Sequence, residues 1–388
     1  MSSSFGKCLK ISIFGESHGD CIGAVIDGFP SGVQIDNDFI LKEMKRRAPG
    51  GTLATKRIEE DKVKIVSGVY NGYSTGAPIC GVIENTDLIS KDYEKFRSVP
   101  RPSHADFTSD VRYQGFNDMR GSGHFSGRLT APIVFAGAIC KIYLSSIGIE
   151  IGAHFRSLGK VSEVSFIDLN KDEINHNGRI ANSFLNHELL QDLKSKDLAF
   201  IMQDNINKAE VEIHNARNQA DSIGGVVECA VIGLPAGFGS PMMEGIESKI
   251  ASIMFSIPGV KGLEFGAGFE LTKMLGSEAN DCFCLENDVI ATKTSNKGGI
   301  TTKTNNNGGG LGGISTGAPI VFSVAFKPTP SIGKKQNTLN ATTGELEELS
   351  IAGRHDPCIA VRGLPVIEAA AAISILDIVM EGQGYAKR

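Results

Sequence analysis

At 388 residues the chain has room for two or three average domains or one large one, and its 41% hydrophobic and 21% charged residues are the proportions of a water-soluble protein with a buried core. A formal net charge of -5 argues against general nucleic-acid binding. No run of residues reads as the roughly 18 apolar positions of a membrane span, and Met1 to Lys10 lacks the basic-then-apolar layout of a signal peptide, which makes a cytoplasmic enzyme the default.

In chain order, short apolar runs rich in β-branched residues read as strands at Ile11 to Phe14, Gly23 to Ile26, Val63 to Val69, Val226 to Ile232 and Ile320 to Phe326, each bounded by Gly, Pro or polar turn residues. Asp36 to Arg47 reads as a helix with an acidic start, apolar Phe39, Ile40 and Met44, and a stop at Pro49-Gly50. Gly127 to Ser146 and Pro365 to Glu381 are longer and Ala/Ile-rich, the pattern of buried helices. Ser157 to Ala220 is more polar and carries a weak helical pattern. No low-complexity linker divides the chain, so residues 1–388 read as one α+β domain of packed layers. The eight cysteines are scattered without paired zinc-site spacing, and most flank apolar residues, so they read as buried thiols and imply neither metal nor disulfide.

Three of the eight histidines stand in short polar blocks: Gly15-Glu16-Ser17-His18-Gly19, Arg101-Pro102-Ser103-His104-Ala105-Asp106 and Arg354-His355-Asp356-Pro357-Cys358. Taken singly, each block reads more readily as a turn than as a catalytic element. Together they supply the side chain whose pKa lies nearest neutrality, next to arginines and carboxylates, as proton transfer at an anionic substrate requires. Anion binding has a second signal. No acidic residue falls between Asp288 and Glu345, where about six would be expected, yet Lys293, Lys297, Lys303, Lys327, Lys334 and Lys335 do. The same stretch holds the glycine run Gly308 to Gly313, and Lys327-Pro328-Thr329-Pro330-Ser331 directly follows a strand, which suggests a phosphate cradle. Gly308, Gly310 and Gly313 formally satisfy a dinucleotide fingerprint, but asparagines precede it, a strand follows it, and no acid lies near twenty residues downstream. Lys45-Arg46-Arg47 either complements a helix dipole or joins the anion site; Arg120, Arg128 and Arg354 stand in loops or at helix starts, where side chains commonly meet ligands.

With these blocks in order, the chain resembles the chorismate synthase family over essentially its whole length. The resemblance rests on Phe14 to Gly19, Arg101 to Asp106, Arg120 to Gly123 running into Ser126 to Thr130, Asp221 to Gly225, Val260 to Gly262, Gly312 to Gly317, Lys327 to Thr329 and Arg354 to Cys358. It implies a single-domain β-α-β sandwich, assembled as a homotetramer. It also implies conversion of 5-enolpyruvylshikimate 3-phosphate to chorismate by 1,4-anti elimination of phosphate, with reduced FMN lending electron density and recovering it; NADPH enters only if the flavin is reduced in situ. By position, His18 and His104 match the two family histidines, one protonating the departing phosphate and the other acting near the flavin N1/C2=O edge. Asp356 matches the aspartate that assists deprotonation at flavin N5. Arg47 and Arg128 would hold substrate anions. Arg47 and Arg354, with His124, Phe125, Ser126, Pro258, Gly259, Gly312 and Lys327, Pro328, Thr329, Pro330 and Ser331, match flavin-binding positions.

The chain also departs from the family pattern. Where the commoner block reads G-G-G-R-S-S-A-R-E-T, His124 replaces the first arginine, Phe125 a serine and Leu129 the glutamate. Leu53 stands where many relatives carry a second arginine, which weakens any nicotinamide-phosphate contact there, and Pro258-Gly259 replaces a frequent Asn-Ala. A non-catalytic flavin- or phosphate-binding homologue is the alternative these changes permit; retention of His18, His104, Arg128 and Asp356 favours the enzyme.

Overall fold

The computed structural model describes residues 3–48, 61–86, 93–169, 185–285, 299–351 and 356–382. Two five-stranded antiparallel sheets sandwich a layer of helices. The first sheet comprises β1 (Ser4–Phe5), β2 (Lys10–Gly15), β3 (Cys21–Asp27), β4 (Val63–Ser67) and β5 (Ile79–Glu84), in the order β1-β2-β3-β5-β4. The second comprises β6 (Glu150–Leu158), β7 (Val161–Ser162), β8 (Gly225–Ile232), β9 (Val260–Phe265) and β10 (Ile320–Phe326), in the order β9-β10-β8-β6-β7. The helices are α1 (Asn37–Arg47), α2 (Asp106–Tyr113), α3 (Thr130–Ser146), α4 (His187–Ser195), α5 (Gln203–Asn218), α6 (Ile246–Met254) and α7 (Ala360–Gly382).

Period-two burial explains the first sheet: Ile22, Ala24 and Ile26 of β3 and Ile79 and Ile83 of β5 turn inward and are almost fully enclosed. α3 lies on that face, with Phe135 seated over Gly81, where any side chain would meet the ring. α7 lies on the second sheet against β6, β8 and β10, and packs along α3 on its other side. Partners on every side account for its apolar character all round; Ala369 to Val379 are all buried. α3 and α7 approach most closely at Gly137, where an added Cβ would lie 2.3 Å from the Cβ of Ala369 and 2.4 Å from its Cα. The result is the β-α-β sandwich with α+β composition expected from the resemblance.

Four charged residues cross this apolar layer. Glu368 of α7 accepts Arg46 Nη1 and Nη2 at 2.7 and 2.9 Å, Lys141 Nζ at 2.7 Å and the backbone N–H of Ala153 at 3.2 Å. Glu43 accepts from Arg46 at 3.0 Å and from Lys141. The network ties α1, α3, α7 and β6 together.

Helix α1 begins as expected, with Asp36 capping the N–H of Phe39 at 3.0 Å; the expected stop at Pro49-Gly50 lies outside the described residues. α7 begins five residues before Pro365, so the proline lies inside the helix and removes one of its backbone donors. β5, β6 and β9 carry no clear strand signal in the sequence, because Gly81, His154, Arg156, Lys261 and Glu264 break up their apolar pattern. The expectation that no run approaches the length and apolarity of a membrane span does not hold. Gly127–Ser146 and Ala360–Gly382 are each long and apolar enough to cross a bilayer, but 78% and 94% of their apolar windows are buried inside the protein. Of the cysteines, Cys140, Cys229 and Cys358 are buried, and burial pushes the Cys358 thiol up to about 12; Cys8 and Cys282 are exposed.

Two outcomes follow from this packing. Gly137→Ala gains about 1 kcal/mol of helix propensity, but the overpacking costs about 1–3 kcal/mol or more, and contact with Ala369 backbone makes the higher end apply. A lowered urea midpoint is expected; an unchanged or raised midpoint would show that α3 and α7 separate freely. The second outcome concerns acid. Burial opposes ionisation of Glu368, but Arg46 and Lys141 outweigh it and hold the carboxyl well below its usual range. A carboxyl so depressed contributes stability that is complete above its unfolded value near 4.5 and is lost as pH falls toward the folded value. Urea titrations below about pH 5 should show stability falling steeply in the native protein and less steeply in Glu368→Gln, whereas equal slopes would remove Glu368 from the effect.

Candidate active site

Where α1 ends and α7 begins, the chain leaves an open cleft of about 910 Å³, counting the solvent space at its mouth. Its walls come from six distant stretches: Arg47; Tyr93, Arg101 and His104; Gly121, Ser122, Ser126, Gly127, Arg128 and Thr130; Ile257 and Pro258; Phe326, Thr329 and Ser331; and Asp356, Arg362 and Gly363. Gly363 lets α7 rest on the Phe326 ring, 2.5 Å from where a Cβ would stand, and this fixes the end of β10 in the wall.

The arginines do not stand alone. Asp61, fully enclosed, accepts Arg47 Nη2 at 2.6 Å and Nε at 3.2 Å through one oxygen and Arg128 through the other. Arg47 also reaches Thr130 Oγ1 at 3.4 Å, and its backbone carbonyl accepts Arg362 Nε at 3.1 Å. Arg362 in turn holds Asp356 at 2.9 Å. Arg128 Nε donates to Asn85 Oδ1 at 3.1 Å, while Asn85 Nδ2 donates to the carbonyls of Glu16 and Gly19 at 3.0 and 2.9 Å. One asparagine thus pins the turn that carries His18 to the arginine pair.

His18 is buried in the β2–β3 turn, edge-on to Tyr93 with ring centroids 5.4 Å apart. Gly121, at φ +57°, lies directly against its ring: a Cβ would come within 2.4 Å of Cδ2. Gly121 and Tyr93 line the cleft, so His18 stands just behind its wall. His104 lines the cleft itself, with Nδ1 2.8 Å from Asp106 Oδ1 at the start of α2. Arg101 grips the same carboxylate, donates to Ser122 and Ser331, and lies over the rings of Phe96 and Tyr93 at 4.4 and 5.9 Å. Phe96 belongs to a small second core with Val99, Met119, Leu349 and Ile351 that carries this loop.

The Asp221 to Gly225 block acts as a clamp. Ser222 Oγ donates to the carbonyl of Thr329 at 2.7 Å, and the Ile223 N–H donates to that of Pro357 at 2.8 Å. It thereby holds the strand end and the Asp356 segment side by side. Thr329 Oγ1, in the cleft wall, is buried with no hydrogen-bond partner among the described residues. A buried hydroxyl of this kind, in a wall that also carries guanidinium groups, suits an anionic, phosphate-bearing ligand held with Arg47, Ser126 and Ser331.

The fold therefore gathers Arg47, His104, Ser126, Arg128, Pro258, Thr329, Ser331 and Asp356 around one space, with His18 against its wall. Other candidates lie outside the lining. His124 bonds Ser3 Oγ and the Gly15 carbonyl at 3.2 and 3.1 Å, and Phe125 packs on Tyr113. Gly259, Pro328 and Pro330 flank the wall. Lys327 Nζ donates to the Ser103 carbonyl; burial, then Lys261, lowers its pKa. Gly312 is exposed at the turn of a hairpin pairing Gly310–Leu311 with Ile314–Ser315. Its neighbours Gly308, Gly309 and Gly313 are needed where backbone meets backbone within 2.5 Å of a would-be Cβ, so the run packs loops rather than opening toward the cleft. Lys334 pairs with Asp221 and Lys335 with Glu348, and Arg120 with Asp118. Arg354, His355, Leu53, Lys56, Arg57, Lys293 and Lys297 lie outside the described residues. Arg46 enters the core, separating it from Arg47 beside it.

Sequence reasoning missed Asp61, Asn85, Tyr93 and Arg362. Asp61 and Asn85 stand in ordinary polar segments with nothing local to mark them. Arg362 carried a signal: it follows Asp356 in the first turn of a helix, at the cleft wall.

A family model described as chorismate synthase matches residues 9–380. The curated chorismate synthase of Dehalococcoides mccartyi (strain ATCC BAA-2266 / KCTC 15142 / 195) is 46% identical over 381 residues, covering 98% of this chain and 97% of that protein. Those of Thermococcus kodakarensis and Methanocaldococcus jannaschii are 39% and 41% identical, over 98% of this chain and 98% and 97% of theirs. A solved structure described as the crystal structure of chorismate synthase aligns with a TM-score of 0.71 at 26% identity, covering 98% of this chain and 94% of that one. The chain belongs to the chorismate synthase family.

Proposed function

We propose that this lyase removes phosphate and a C–H proton from 5-enolpyruvylshikimate 3-phosphate to give chorismate, the step that feeds aromatic amino acid biosynthesis. The observation that carries the reading is the meeting, in one cleft, of Arg47, His104, Arg128 and Asp356 from remote parts of the chain. Phosphate loss needs cations for the leaving group and an acid to protonate it. Reduced FMN, when bound, supplies electron density that weakens the C–O bond. Arg47 and Arg128 hold the substrate's anionic groups. Of His18 and His104, one protonates the departing phosphate and the other holds a proton at the flavin edge. Asp356, oriented by Arg362, accepts a proton on its carboxylate. The apolar walls from Phe326, Ile257 and Val366 keep water from the reacting groups.

The accompanying reading is a single-domain, cytoplasmic homotetramer. A continuous apolar core running through both sheets supports one domain. Exposed Met242, Met243, Phe269 and Leu275 support association between copies. Leu53, in place of a second arginine, supports dependence on an external reductant rather than NADPH.

Anaerobic assay with chemically reduced FMN should release phosphate from the enolpyruvyl substrate; folded, FMN-binding protein without turnover would overturn the reading. NADPH with oxidised FMN should give no turnover. His18→Ala and His104→Ala should retain flavin binding and lose about 10²–10⁴-fold in kcat, and a normal rate in either removes that histidine from the mechanism. Asp61→Asn leaves two buried guanidinium groups facing each other, so a loss of about 3–5 kcal/mol in chemical denaturation is expected; a change under about 1 kcal/mol would mean other groups neutralise the pair.

A further inference from the structure

His104 Nδ1 has two neighbours that make opposite demands on it: Asp106 Oδ1 at 2.8 Å and Arg101 Nη2 at 3.1 Å. A guanidinium only donates, so a bond from Arg101 requires a lone pair on Nδ1. An ionised carboxylate only accepts, so a bond to Asp106 requires a hydrogen there. The hydrogens on Arg101 decide between them. Nη2 carries two, and its bonds to Asp106 Oδ1 at 2.6 Å and Ser122 Oγ at 2.9 Å use both. Nε donates to Asp106 Oδ2 at 2.7 Å, the Arg101 backbone N–H donates to the same oxygen at 3.0 Å, and Nη1 is directed at Ser331.

Nη2, the Arg101 atom beside the imidazole, has no hydrogen left to donate to it. Asp106 is ionised: burial works against the charge, but the bonds from Arg101 and His104 outweigh it and hold the carboxyl well below its usual range. Its place in the first turn of α2 adds the helix dipole in the same sense. Both residues are buried, and the rings of Phe96 and Tyr93 fix the guanidinium plane.

We infer that Asp106 and Arg101 are positioning residues that lock His104 as its Nδ1–H tautomer and leave Nε2 as the nitrogen offered to the ligand. Nε2 has no hydrogen-bond partner among the described residues, and the ring lines the cleft. Neutral His104 therefore takes a proton at Nε2, and the resulting imidazolium donates from Nε2 while Nδ1–H stays on Asp106. Arg101 sets the carboxylate and the carboxylate sets the ring, the arrangement by which a buried aspartate holds a catalytic histidine in one tautomer. This rests on the reading of His104 as a proton-transfer group, and the experiment separates the two claims.

Protein labelled with ¹⁵N-histidine, with the His104 signals identified by their loss in His104→Ala, is measured by long-range ¹H–¹⁵N NMR at the alkaline end of a pH series, once those signals no longer change with pH. The native protein should show the hydrogen on Nδ1 and an unprotonated Nε2. In Asp106→Asn, whose amide can either accept from or donate to Nδ1, the signals should shift toward a tautomer mixture. With it kcat should fall by about 100-fold or more while KM changes less than about threefold. A native His104 with its hydrogen on Nε2 overturns the inference, and so does an unchanged tautomer in Asp106→Asn. A tautomer shift with normal kcat upholds the positioning role and overturns instead the part assigned to His104. The native spectrum decides the question even if Asp106→Asn fails to fold.

Discussion

Glu368 is a carboxylate in the middle of an apolar helix with no exposed surface, and the architecture is arranged around satisfying it. A buried charge with a missing partner costs several kcal/mol, so α1, α3 and β6 must each present a donor at one point: Arg46, Lys141 and the Ala153 N–H. Apolar packing alone would let α1 slide or turn against α7. The network fixes its rotation, and with it the fate of two neighbouring arginines. With Arg46 drawn into the core, Arg47 must point about 100° away around the helix, toward Asp61 and the cleft. A structural ion cluster thus aims a residue of the site.

The site repeats that logic at smaller scale. Guanidinium groups packed this closely repel one another, and carboxylates woven between them let them coexist: Asp61 between Arg47 and Arg128, Asp106 against Arg101, Asp356 against Arg362. The cleft is therefore less cationic than a count of its arginines implies. What it offers an anion is a set of donors already oriented by their carboxylates, so little ordering remains when a ligand binds. Asp61 holds a left-handed backbone at φ +45°, which its bonds to two arginines help to offset.

Glycine serves contact here more than flexibility. Gly121 brings backbone against the His18 ring, Gly137 brings α3 onto α7, and Gly363 brings α7 onto Phe326. Each closes a gap that a methyl group would hold open. The conspicuous run from Gly308 to Gly313 does the same between loops, away from the cleft, so the local density of glycine was a poor guide to where ligands go.

How much was legible in the sequence depended on whether the signal was local. Strands with unbroken apolar runs, such as Ile320–Phe326, and the capped helix after Asp36 could be read directly, because burial on one face imprints a period on adjacent residues. β6 could not, because its buried His154 pairs through Nε2 with Glu228 of the neighbouring strand, and that partner lies 74 positions away. The histidine, arginine and carboxylate blocks, read in order, identified the family and most of the cleft. Which arginine enters the core, which carboxylate spans two cations, and which glycines touch a ring depend on residues far apart in the chain, such as Arg47 with Asp61 and Gly121 with His18. The sequence by itself determined the chemistry available; only the tertiary structure decided which groups meet, since charge pairing and close contact act through space and leave no period in the chain.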